Sequence, residues 1–317
     1  MASMGERIAY DEFGLFHENA SEYGLAWPGP PSVRRTSVAV SGGRRVSALA
    51  WGSGDPELVL VHGTAQNAHT WDTVALALGR PVLAVDLPGH GHSDWRDDAT
   101  YTPELLAADV AEVVAALAPR ARGVVGMSLG GLTSVVLAAR HPELVRRLLV
   151  VDITPGTNRD KAKAIIDFVN GPQDFPDFQS LLDRTIEHNP TRTVSSLRRG
   201  VLHNARQLDD GTWQWRYDRR GRAQPPAPAG ETGGEVPQTA DLGVGRLWDD
   251  VAAAACPMLL ARGGASPVVD DADVAELLRR RPGTEVVVVD GAGHSIQGDR
   301  PLELTALIER FVLTPPA

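Results

Sequence analysis

The chain has 317 residues, of which 43% are hydrophobic, 22% charged and one, Cys256, a cysteine. That length suits two domains or one large α/β domain with an insertion, and the composition excludes general disorder, a disulfide framework and a Cys-rich zinc site. The 31 Lys and Arg against 40 Asp and Glu give a formal charge of −9, which argues against a nucleic-acid surface.

Residues 1–35 form a leader with no clear period, read either as a tail or as an arm packed on the core. Glu6, Asp11, Glu12, Glu18 and Glu22 leave it without the apolar centre of a secretory signal. No later run reaches the roughly 18 apolar residues of a membrane helix. A soluble, cytoplasmic protein with no membrane or nucleic-acid partner is the expectation.

Short apolar runs then alternate with helical spacing, the pattern of βαβ units around a mostly parallel sheet. Ser37–Val40 and Val46–Trp51 flank Ser41-Gly42-Gly43 and read as an edge hairpin. Leu58–Val61 and Val82–Val85 are continuous apolar runs, suited to strands covered on both faces. Thr70–Leu78 has helical spacing, and Pro103–Leu117 is a helix with Thr102 as its N-cap. Val124–Met127 is a strand, Leu129–Arg140 a helix and Leu148–Val151 a strand. From about Thr154 to Trp248 no buried strand run occurs. Ile165, Ile166 and Val169 suggest one helix there, Phe178, Leu181, Leu182 and Ile186 another, and Pro225–Pro237 a mobile loop. The strand–helix rhythm resumes with Met258–Ala261, a helix near Asp271–Arg280, Val286–Val289 and a last helix over Pro301–Phe311. The division predicted is a core of 36–153 and 249–317 holding a mainly helical insertion, 154–248.

Gly126-Met127-Ser128-Leu129-Gly130 fits G-x-S-x-G, a weak pattern alone. Here it ends an apolar strand and opens a helix, the context of a nucleophile elbow. The tight turn lifts the Ser128 hydroxyl above the sheet edge, over a helix N-terminus that favours developing negative charge. Upstream, His62-Gly63-Thr64 follows the Leu58–Val61 strand, and the glycine permits close backbone approach. The N–H groups of Thr64 and Leu129 are the expected oxyanion donors. His62 itself reads as structural.

With these segments placed, the chain resembles the α/β-hydrolase fold superfamily. The matching landmarks, in family order, are Val61-His62-Gly63, Asp86-Leu87-Pro88-Gly89-His90-Gly91-His92-Ser93, Gly126–Gly130 and Gly291-Ala292-Gly293-His294. The resemblance covers about 36–153 and 249–313. It implies a mostly parallel eight-stranded sheet flanked by helices, with the insertion as a cap. Asp86, His90 and His92 then lie in a loop that shapes the core edge.

A serine hydroxyl needs a base. His294 follows the Val286–Val289 strand through Asp290-Gly291-Ala292-Gly293, a loop suited to delivering an imidazole, whose ordinary pKa fits proton exchange near neutrality. The commonest family pattern places the orienting acid as G-x-x-D after the strand at Met258–Ala261. This chain has Gly263-Gly264-Ala265-Ser266 instead, and a serine cannot balance an imidazolium. Asp152, at the end of the Leu148–Val151 strand, is favoured as the acid, with Ser266 as an auxiliary hydrogen bonder to the histidine. That arrangement is similar to family esterases with a displaced acid. Asp270 and Asp271 are the rivals, though their positions also suit the start of a helix.

This constellation implies acyl transfer to serine with no cofactor or metal. A serine at the elbow counts against the family branches that use a carboxylate nucleophile. A carboxylic ester, lactone or thioester of a small, largely apolar substrate is the leading expectation. Carbon–carbon bond hydrolysis or cyclisation by the same triad is the alternative, and a non-catalytic binding protein ranks below both. Most of the insertion's apolar side chains, among them Phe168, Phe175, Trp213, Trp215 and Trp248, are expected to pack the cap, with some lining an apolar acyl pocket. Arg216, Arg219, Arg220 and Arg222 suit a solvated face better than an anion site.

Overall fold

The computed structural model describes residues 7–220 and 244–314. Strands β1 (Val33–Val40) and β2 (Arg44–Trp51) form the edge hairpin, turning through Gly42 and Gly43, both at positive φ. They are followed by β3 (Leu58–Val61), β4 (Val82–Val85), β5 (Gly123–Met127) and β6 (Leu148–Val151). Three very short strands come next, β7 (Asp174–Phe175), β8 (Ala205–Gln207) and β9 (Trp213–Trp215), and then β10 (Met258–Gly263) and β11 (Glu285–Val289). The main sheet has eight strands in the order β1-β2-β4-β3-β5-β6-β10-β11. β2 runs antiparallel to its neighbours, and the pairs from β4 to β11 are parallel.

The helices are α1 (Phe16–Glu22), α2 (Asp72–Leu78), α3 (Pro103–Leu117), α4 (Leu129–Arg140), α5 (Lys163–Val169), α6 (Phe178–Glu187), α7 (Val194–Asn204), α8 (Val244–Ala253), α9 (Asp271–Arg280), α10 (Ile296–Asp299) and α11 (Pro301–Ile308). Neighbouring residues of the central strands enter different cores, which is why these strands read as unbroken apolar runs. Val59 and Val61 pack with Leu106, Val110, Val136 and Val251 from α3, α4 and α8. Leu58 and Leu60 pack on the other face with Val74, Leu78, Leu304 and Ile308 from α2 and α11. Each such burial is worth about 1.5–3 kcal/mol. Thr102 caps α3 as expected, its hydroxyl oxygen accepting from Leu105 N–H at 3.4 Å.

The structure departs from the sequence reading in several places. For the leader, left open between tail and arm, it selects the arm over residues 7–32: Phe16 is 1% exposed and sits beside Trp51 and Trp71. The hairpin begins at Val33, inside the expected leader. The helix expected from Thr70 opens with a tight turn over Ala68–Trp71 before α2. β11 is an edge strand, with Val288 51% exposed, so its apolar run does not report two-sided burial. The insertion is mainly helical as expected, but β7, β9 and β8 add a small antiparallel sheet. Strands of two or three residues are too short to register as runs. α7 also went unpredicted. α8 crosses the expected boundary at 248 and packs on α4, so Trp248 belongs to the main core rather than to the insertion's own cluster. The expected loop Pro225–Pro237 and Arg222 lie outside the described residues.

Candidate active site

Each singled-out residue lies at or beyond the C-terminal end of a parallel strand, the edge where α/β sheets bind ligands. Ser128 follows β5 directly and has φ 52° and ψ −121°, a conformation few L-residues adopt. Its N–H donates to Val151 O of β6 at 3.1 Å. The glycines explain why the turn forms. A Cβ on Gly126 would lie 2.4 Å from Gly130 O, and one on Gly130 would lie 2.4 Å from Val61 O and His62 O. A Cβ on Gly63 would meet Met127 Sδ at 2.5 Å and Ser128 Cβ at 3.1 Å. The His62–Thr64 turn is therefore pressed against the serine, with Thr64 lining the same cavity. Leu129 opens α4, where a helix N–H has no intrahelical acceptor.

Asp152 follows β6 and is the second strained residue, with φ 50°. Its N–H is held by Ala261 O of β10 at 2.8 Å, and its side chain is wholly buried. Oδ1 accepts from Gly263 N–H at 2.8 Å. Oδ2 accepts from His294 Nδ1 at 2.9 Å and from the Ser266 hydroxyl. Ser266 therefore bonds to the carboxylate, not to the histidine as expected, and its oxygen accepts from Val268 N–H at 3.2 Å. A hydroxyl is drawn to the buried anion, where a charge-assisted bond is stronger than one to a neutral ring. Because Nδ1 donates to Asp152, Nε2 of His294 keeps its lone pair. That atom is buried with no hydrogen-bond partner among the described residues, and His294 lines the cavity with Ser128. Asp270 is elsewhere: it caps α9 through Asp273 N–H at 2.9 Å and pairs with Lys161 at 2.8 Å. Asp271 pairs with Arg262.

His62 is fully buried, its Nε2 accepting from Leu87 N–H at 2.9 Å, and burial pushes its pKa down. Asp86 is buried too, and it accepts from Ala68 N–H at 2.7 Å, from His92 N–H at 3.1 Å and from Arg35 at 2.7 Å. Burial opposes its charge, but Arg35, His62 and the Ala68 and His92 N–H groups together hold its pKa below the usual range. Both residues hold loops, as expected.

The alpha/beta hydrolase fold family matches residues 56–301. The chain belongs to the α/β-hydrolase fold family. Over 315 residues, 97% of this hydrolase and 98% of the relative, it is 45% identical to esterase Rv0045c of Mycobacterium tuberculosis. The crystal structure of that esterase superimposes with a TM-score of 0.81, covering 98% of this chain and 100% of the other. A pimeloyl-[acyl-carrier protein] methyl ester esterase of Aeromonas hydrophila is 31% identical over 84% of this chain and 99% of its own.

The hydrolase also carries a polar cluster that sequence reasoning missed. His69 and His203 stack at 3.8 Å and 7°. His69 Nδ1 lies 2.9 Å from Asp72 and Nε2 lies 3.2 Å from Glu12, while Tyr10 bonds His203 Nδ1 at 2.7 Å. Burial opposes charge on His69, but Asp72 and Glu12 overcome it and raise its pKa to about 9. Burial drives the pKa of His203 well down. His69, Asp72 and His203 have ligand atoms within 4.8 Å of one another. The parallel rings do not suit a shared metal, since an ion in the plane of one imidazole stands well off the plane of the other. No local motif signals this cluster, because its members come from the leader, the turn before α2, the start of α2, and α7.

Among the described residues no helix is long and apolar enough to cross a membrane.

Proposed function

We propose that this ester-hydrolysing α/β hydrolase works through Ser128 as nucleophile, His294 as general base and Asp152 as the carboxylate that orients the imidazole. The observation that carries the reading is the 2.9 Å bond from His294 Nδ1 to Asp152, with Nε2 left unpartnered in the cavity that Ser128 lines. Catalytic hydrogen bonds are often long in a free enzyme and tighten with substrate. In the forward half-reaction Nε2 takes the Ser128 proton as Oγ attacks the ester carbonyl. The N–H groups of Thr64 and Leu129 hold the oxyanion. His294 then protonates the leaving alcohol, and water, activated by the same nitrogen, releases the acid. Ser266 steadies Asp152 through its hydroxyl.

The insertion, which lines the cavity with Ile165, Phe168, Leu197 and Trp215, acts as a cap that selects the substrate. A carboxylic ester of a small substrate is the favoured class, supported by the esterases among the relatives. Hydrolysis of p-nitrophenyl butyrate and covalent labelling by a fluorophosphonate test the mechanism. Both are expected to disappear in Ser128→Ala, and labelling that survives this change overturns the assignment.

A further inference from the structure

Ser128 stands where two cavities meet. The smaller, about 220 Å³, is walled by Ile153, Ile165, Ile166, Val169 and Val268. The larger, about 310 Å³, has charged walls as well, including Lys161, Arg192 and Arg199. An ester has two halves; the two cavities share Thr64, Ser128, Ile165, Val169 and Val268, and they differ in that charged side chains line only the larger.

Lys161 and Arg199 are already neutralised. Lys161 is held by Asp270 at 2.8 Å and Asp273 at 2.7 Å. Arg199 pairs with Glu22 and has Glu18 at 3.7 Å. Arg192, in the link between α6 and α7, has no carboxylate oxygen within 4.0 Å among the described residues. One of its nitrogens, Nη2, donates to Ser196 Oγ at 2.6 Å. Its Nε is buried without an acceptor, packed so closely on the backbone of Gly298 that a Cβ there would lie 2.8 Å away. The carboxylate that acts on it most strongly, Asp299, lines the same cavity but lies beyond 4.0 Å, its oxygens held by neutral donors. Oδ2 of Asp299 accepts from Gly293 N–H at 2.7 Å and Oδ1 from the Thr191 hydroxyl at 3.1 Å. Gly293 precedes His294, so this guanidinium sits beside the loop that carries the imidazole.

Arg192 is only partly buried, but a guanidinium stays charged in proteins, and its buried Nε has no acceptor among the described residues. Such a group in a cavity marks a place for an anion, and its planar fork matches carboxylate and phosphate oxygens. We propose that Arg192 anchors an anion subsite in the larger cavity, so that the preferred ester carries a carboxylate or phosphate on one side of the scissile carbonyl and an apolar group on the other. The proposal rests on Ser128 being the nucleophile.

The test uses two p-nitrophenyl esters of equal acyl chain length, the anionic hemiglutarate and the neutral valerate, with the full chain. The wild type is expected to favour the anionic ester in kcat/KM. Arg192→Gln is expected to lower the anionic-to-neutral ratio about 10- to 100-fold, mainly through KM, with Arg192→Lys recovering part of it. A purely structural role lowers both activities and leaves the ratio unmoved, which overturns the proposal. Glutarate and inorganic phosphate, added singly, should raise the Tm of the wild type more than that of Arg192→Gln. The more effective anion identifies the substrate's charged group, and no rise with either overturns the proposal. Loss of ester hydrolysis and of fluorophosphonate labelling with the Tm shifts intact instead sinks the serine reading and leaves the anion site standing. Should Arg192→Gln not fold, Arg192→Lys carries both readouts.

Discussion

Gly130 and Gly200 both lie inside helices, yet a carbon added to the first would press within 2.4 Å of two carbonyl oxygens, while around the second there is open space. The contrast separates two regions. At the sheet edge, backbone packs on backbone: Gly63 on Ser128, Gly126 on Gly130, Gly263 on the carbonyl of Gly293. Ser128 and Asp152 are held at positive φ there because the surrounding strands over-determine them. In the insertion, side chains do the holding. Leu181, Leu197, Val201, Trp213, Trp215 and Tyr217 form a separate cluster. Asn204 and Asn67 tie it to the core, donating to Ala65 O at 2.6 Å and His203 O at 3.0 Å. The first construction fixes reacting atoms to within tenths of an ångström. The second tolerates exchange of side chains, which suits a wall that decides what enters.

The sharpest way to break the comparison is at the edge itself. Ser128→Ala should cut kcat by about 10⁶ in an ester assay while far-ultraviolet circular dichroism stays unchanged. Asp152→Asn should cost about 10⁴, the scale for losing an imidazole's orienting carboxylate. Ser266→Ala should cost about tenfold or less, since Asp152 keeps its bonds to Gly263 and His294. A larger loss in Asp270→Asn than in Asp152→Asn would transfer the acid to the helix α9 cap.

The His69 cluster, where arm, core and insertion meet, sharpens the comparison through pH. The folded pKa of His69, about 9, exceeds the ordinary value of about 6.5. Its stabilisation is thus complete below about pH 6.5 and is lost as pH rises through 9, by up to about 3 kcal/mol. Melting temperature should fall over that window, and His69→Gln should flatten the fall. A wild-type Tm that is level from pH 6.5 to 9 contradicts the charged His69. The smallest effects return to the two glycines. Gly130→Ala should destabilise by about 1–3 kcal/mol through overpacking. Gly200→Ala should stabilise by about 0.4–1 kcal/mol, read by urea unfolding.

Much of the edge was legible in the residues. The strand runs were legible because covering a sheet on both faces demands unbroken apolar stretches. The elbow was legible because few residues other than glycine fit beside its serine. Asp152 could be nominated because β6 neighbours β5 and ends at the same edge. The partner of Ser266 was not legible, since a hydroxyl near two polar groups can choose either. Arg192, Arg199 and His203 were missed for a related reason: each acquires its meaning from residues more than 100 positions away or from a missing partner.

The amino-acid order alone determined the alternation of strands and helices, the tight bend at Ser128 and the loop that carries His294, since local sterics and apolar period act over a few residues. Folding in three dimensions decided which oxygen meets which hydrogen at Asp152, that the leader lies on the core, that short strands join the insertion's helices, and that Arg192 has no carboxylate oxygen within 4.0 Å among the described residues. Those outcomes depend on distances between segments far apart in the chain, set only when the layers pack.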